Sequence, residues 1–104
     1  MSLKESQSQE DAYISQYKLG YFKPHEILAR LTEEVGELAR EINHIYGPKA
    51  KKSSEDLGDM AGEMADVIFS ICCLANSQKI DLDQAWQKMM NKYSERDKDR
   101  WEKK

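Results

Sequence analysis

The sequence predicts an all-α protein: a bundle of four helices that completes its core by forming an oligomer. Three observations carry this expectation. Apolar residues recur at helical spacing over long stretches of chain. Five glycines and two prolines are too few for the tight turns that an all-β chain needs. At 104 residues, 39% hydrophobic and 34% charged, the chain has room for one small domain and a thin core. That domain, about residues 21–100 of 1–104, is expected to carry fraying tails at both ends.

The elements follow in order. Tyr13, Ile14 and Tyr17 suggest a short first helix, broken near Gly20. Pro24 suits the first turn of a second helix, where its missing N–H costs nothing. From Pro24 to Tyr46 no further proline interrupts, and Gly47–Pro48 supplies a stop. Leu28, Leu31, Val35, Leu38, Ile42 and Ile45 gather on one arc of this helix. A polar, basic loop, GPKAKKSS, follows, and Ser53 or Ser54 can cap a third helix from about Glu55 to Ser77. Leu57, Met60, Ala61, Met64, Ile68, Ile71 and Ala75 form its stripe, and its second half, VIFSICCLA, is apolar nearly all round. That half is assigned to the centre or to a subunit interface. Asp81 with Gln84 resembles a capping box opening a fourth helix. Leu82, Ala85, Trp86, Met89 and Tyr93 are assigned to its inner face.

The charge balance excludes several functions. Asp and Glu outnumber Lys and Arg by 19 to 16, a formal net charge of −3, so nucleic acid is not an expected partner. No apolar run reaches the roughly 20 residues of a membrane span, and the N-terminus lacks the apolar segment of a signal peptide. No membrane partner and a cytoplasmic location are expected. Cys72 and Cys73 are neighbours, with no nearby His or further Cys, so neither a disulfide nor a zinc site is expected.

The acids carry the chemistry. Glu34 and Glu37 share a face of the second helix, with Glu41 a turn further on, along one flank of the apolar arc. Glu63 and Asp66, with Asp59, flank the arc of the third helix, whereas Glu33 points away from the core. Antiparallel packing would set four carboxylates against one another, and something cationic must then compensate them. Oxygen donors without Cys or paired His suit Mg²⁺ or Mn²⁺ better than zinc. A di-iron bundle needs Glu-x-x-His on two helices. Glu41 and His44 have that spacing, but Glu63 is followed at the same distance by Asp66. His25 and His44 are read as surface or supporting histidines.

The run Glu33–Glu34–Val35–Gly36–Glu37, with Glu63–Met64–Ala65–Asp66 on the next helix, resembles the E-E-x-x-E and E-x-x-D signature of MazG-like nucleotide pyrophosphohydrolases. The resemblance extends from about Tyr21 to Arg100 and is nearest the short, single-domain bacterial branch. It implies an all-α NTP pyrophosphatase fold that binds Mg²⁺ and cleaves a nucleoside triphosphate between the α and β phosphates. The implied metal ligands are Glu34, Glu37, Glu63 and Asp66, with Glu41 an extra ligand or the base that orients water. Lys92 and Arg96 resemble a pair that the family places on the phosphates. A homodimer or homotetramer fits it, as does a role in clearing unwanted nucleotides. The alternative is a non-catalytic helical adaptor or regulatory oligomer on the same fold.

Overall fold

A computed structural model describes residues 1–53 and 57–104. The described chain forms four helices: α1 (Leu3–Ile14), α2 (Pro24–Tyr46), α3 (Gly58–Ser77) and α4 (Leu82–Asp97).

α2 has the expected bounds. Pro24 opens it, and the Glu26 carboxylate accepts the Lys23 N–H at 3.0 Å, satisfying a donor the helix leaves unpaired. Gly47 closes it in extended backbone, not in the left-handed conformation usual for a terminal glycine. Glycine is needed because a Cβ there would lie 2.5 Å from the Asn43 carbonyl oxygen. α3 begins at Gly58, later than the pattern suggests, with Leu57 at its N-cap. The proposed capping by Ser54 ahead of Glu55 and Asp56 lies outside the described residues. Asp81 caps α4 as expected, its carboxylate accepting the Asp83 and Gln84 N–H groups.

α1 departs from expectation. It starts at Leu3, within the segment expected to fray, and ends before Tyr17. Its buried residues are polar, Gln7 and Glu10. Gln7 donates to Asn76 Oδ1 at 3.0 Å and to the Ile80 carbonyl at 2.7 Å, and it accepts the Leu82 N–H at 2.9 Å. One side chain thus satisfies the turn between α3 and α4. Asp83 also accepts the Leu3 N–H. Gln7→Leu should therefore cost about 2–4 kcal/mol, since two turn groups lose their partners at ~1–3 kcal/mol each. Denaturant titration checks this, and a loss below ~0.5 kcal/mol would show that water replaces the amide.

α2 and α3 pack along their lengths in opposite directions, and α1 lies against α3. α4 is tied chiefly to α1, which corrects two expectations. Trp86 and Tyr93 are 54% and 40% exposed, not packed inside, because α4 does not lie along the α2–α3 pair.

The apolar stripes divide. On α2, Ile27 and Ile45 are buried while Leu28, Val35 and Ile42 stay exposed; on α3, Met64, Ile68 and Ile71 stay exposed. The radius of gyration is 17.1 Å, against about 13 Å for a compact domain of this length. A single protomer leaves long apolar stretches of α2 and α3 uncovered.

Candidate active site

The antiparallel register of α2 and α3 builds the site in layers. At one end, Lys52 donates to Glu41 at 2.7 Å and to Asp59 at 2.6 Å, clamping α2 to the start of α3. The loop after α2 aims this lysine. Its Lys51 and Lys52 N–H groups both bond the His44 carbonyl, at 2.7 and 2.8 Å, turning the chain back over the helix end. Lys52 holds the Asp59 carboxyl below its ordinary range, and the two acids raise the ammonium in return. His44 sits beside Glu41, with Nδ1 3.8 Å from its carboxylate.

Two turns along, Glu34 of α2 meets Glu63 and Asp66 of α3, with one carboxylate oxygen from each within 4.8 Å of the others. Partial desolvation pushes the Glu63 carboxyl up. Repulsion from Asp66, Glu37, Glu34 and Glu41 adds to it. Among the described residues no Lys, Arg or His forms an ion pair with Glu34, Glu37, Glu63 or Asp66.

The next layer opens a groove of about 590 Å³ that takes Glu34 and Asp66 into its wall, together with Arg30, Glu10, Tyr13 and Phe69. Beyond it lies a smaller, more apolar pocket. Glu10 is buried under α3, where the Cys73 thiol donates to its carboxylate, and burial raises its carboxyl. Burial also pushes the Cys73 thiol up to about 12. It is no nucleophile at neutral pH.

The structure therefore brings together three of the four anticipated acids. Glu37 is exposed just outside the three-acid group, near enough for its charge to act on Glu63. Glu41 is committed to Lys52. Glu33 is exposed and borders a shallow hollow with Phe22 and Glu26, as its helical angle suggests. Lys92 and Arg96 are not brought to the groove of their own protomer. Arg96 is bound to Asp97 through two bonds, at 2.8 and 2.9 Å, and lies over the Tyr93 ring. Sequence reasoning missed Lys52, hidden in a basic loop. It matters only through Glu41 and Asp59, on two different helices.

Four helices in this order, with Glu34 of α2 meeting Glu63 and Asp66 of α3, define the domain of a MazG nucleotide pyrophosphohydrolase. The family model for that domain matches residues 22–101, and the chain belongs to the MazG family. It is a nucleotide pyrophosphohydrolase. The uncharacterized protein YpjD of Bacillus subtilis (strain 168) is 52% identical over 103 residues, covering 99% of this chain and 93% of that protein. The crystal structure of the Bacillus-conserved MazG protein, a nucleotide pyrophosphohydrolase, superposes with a TM-score of 0.81 at 48% identity, over 96% and 97% of the two chains. That of YPJD from Bacillus subtilis gives 0.83 at 50% identity, over 89% and 95%.

Proposed function

We propose that the chain hydrolyses nucleoside triphosphates between the α and β phosphates, releasing a monophosphate and pyrophosphate, with Mg²⁺ or Mn²⁺ as cofactor. The observation that supports it is the convergence of Glu34, Glu63 and Asp66 within 4.8 Å, on two rigid helices and without a cationic side chain among them. An all-oxygen, all-anionic donor set fits a hard divalent cation. Glu37 supplies a further carboxylate by rotating inward. Bound there, the ion would neutralise phosphate oxygens and lower the pKa of a coordinated water.

The remaining work falls to the chain. Glu41, anchored by Lys52, orients the attacking water. Lys92 and Arg96 reach the phosphates from a neighbouring protomer, since α4 does not line its own groove. The active unit is accordingly a homodimer or homotetramer, and its exposed faces of α2 and α3 form the shared core. The enzyme acts in the cytoplasm on surplus or non-standard nucleotides.

Pyrophosphate release from a panel of triphosphates, with Mg²⁺ and with chelator, tests the reading. Release of inorganic phosphate, or turnover indifferent to chelation, would overturn it. The signature acids should also separate. Glu33→Gln should lose less than about threefold in kcat/KM, and Glu37→Gln more than about thirtyfold, because only the second reaches the cluster. Equal losses would show that Glu33 turns inward when substrate binds.

A further inference from the structure

Among the described residues, one buried side-chain atom has no hydrogen-bond partner: Nδ1 of His44. Leaving a buried polar atom unpaired is costly, and in a native fold it calls for a state in which it is paired. Nδ1 faces Glu41 Oε1 across 3.8 Å. An N–H···O bond spans ~2.7–3.2 Å, so closing this one takes a movement of about 1 Å. Nδ1 is closed off from solvent, which keeps bulk water from filling the gap instead.

The other oxygen of Glu41 is already fixed. Oε2 accepts Lys52 at 2.7 Å, and Lys52 is held in turn by Asp59 at 2.6 Å. Both groups that flank Glu41 belong to one unit. The His44 carbonyl accepts the Lys51 and Lys52 N–H groups, so the backbone of His44 aims the lysine while its ring stands beside Oε1. The two side chains are mostly covered, His44 being 19% and Glu41 14% exposed. Opposite a carboxylate oxygen, Nδ1 is favourable only as an N–H, because two lone pairs would otherwise oppose each other. Hydrogen bonds that serve catalysis are often long before substrate binds and tighten in the complex.

We infer that His44 is a positioning residue: its Nδ1–H closes on Glu41 Oε1 when Glu41 engages the attacking water, fixing the carboxylate between the imidazole and the Lys52 ammonium. Each carboxylate oxygen accepts two bonds, so the water keeps its place on Oε1. The inference rests on the water-orienting role proposed for Glu41. His44 then contributes to rate, not to binding of metal or nucleotide.

Pyrophosphate release with Mg²⁺ and each common ribo- and deoxyribonucleoside triphosphate tests it, beside calorimetric titration with Mg²⁺ alone. His44→Ala should lower kcat about ten- to a hundredfold, the range for groups that orient a working side chain, while KM and Mg²⁺ affinity stay within about twofold. The amide nitrogen of Asn branches from Cγ as Nδ1 does, whereas that of Gln lies one bond further out. His44→Asn should therefore keep kcat within about threefold of wild type, and His44→Gln should fall with His44→Ala. Should His44→Ala fail to fold, the Asn and Gln variants still decide, since neither empties the site. In a Glu41→Gln background, His44→Ala should cost less than about twofold more, because the group it positions has gone.

Wild-type kcat in His44→Gln would overturn the inference and leave the pyrophosphohydrolase reading intact. Equal losses in the Asn and Gln variants, or a full additional loss in the double variant, would do the same, since a purely structural role gives both. Full activity in Glu41→Gln would remove Glu41 from the water, and His44 with it, without touching pyrophosphate release. A wild-type protein that releases no pyrophosphate would overturn both readings.

Discussion

Glu63→Gln is expected to abolish turnover while leaving the helices intact. Glu63 lies at the centre of the acid cluster, where burial and four neighbouring carboxylates act on it together. Losing a partner that merely supports a ligand costs metal sites ~10–100-fold, so losing the ligand itself should exceed about a hundredfold in kcat/KM. Mg²⁺ affinity measured by calorimetry should fall with it. The metal-free variant should melt no lower than wild type. Glu63 has a folded pKa raised above its unfolded value, so its contribution to stability is present at low pH and lost as pH rises through that raised range. The neutral amide removes this penalty. Comparing melting curves of the two metal-free proteins from acid to neutral pH should show them diverging upward in pH, with wild type the less stable. A variant keeping full activity would reduce Glu63 to an ordinary boundary acid.

The second large effect concerns the open apolar faces. Leu28→Lys and Ile71→Lys each put an ammonium where the proposed neighbouring protomer packs. Either should dissociate the assembly at micromolar concentration, because each lost apolar contact is worth about 1.5–3 kcal/mol per protomer before the cost of burying a charge. Activity should fall with assembly, because Lys92 and Arg96 would no longer reach a neighbour's groove. Analytical ultracentrifugation decides the matter. A wild-type protein that sediments as a monomer would refute the shared core.

Much of the fold was legible from local chemistry. α2 was readable end to end because Pro24 and Gly47 punctuate it and six apolar residues keep its phase. The three-acid cluster was readable because i,i+3 spacing on two amphipathic helices constrains which flanks can meet. Other features carried no local signal. α1 buries Gln7 and Glu10, so no apolar pattern marks its start. A helical wheel shows that Val35 and Leu38 share an arc, but not that one stays exposed in the protomer while the other is half-covered. Trp86 and Tyr93 stay exposed for the same reason: amphipathicity identifies a face without identifying what covers it. Lys52 acts across a gap between two helices that spacing along one helix cannot reveal.

The bonds joining Leu3 to Asp83 and Gln7 to Asn76, Ile80 and Leu82 connect α1 to the turn between α3 and α4. During synthesis the α2–α3 hairpin can form as soon as both helices have left the ribosome, from contacts that are mostly local. α1 emerges before them, yet its anchors lie some 70 to 80 residues downstream. It must wait, without its buried partners, until the turn between α3 and α4 is out. Loop closure over that distance is slow relative to helix formation. Pulsed hydrogen exchange during refolding should find the amides of α1 protected after those of α2 and α3; simultaneous protection would mean that α1 has an earlier partner. The smaller apolar pocket, walled in part by α1 and the segment after it, would then be among the last parts of the molecule to take shape.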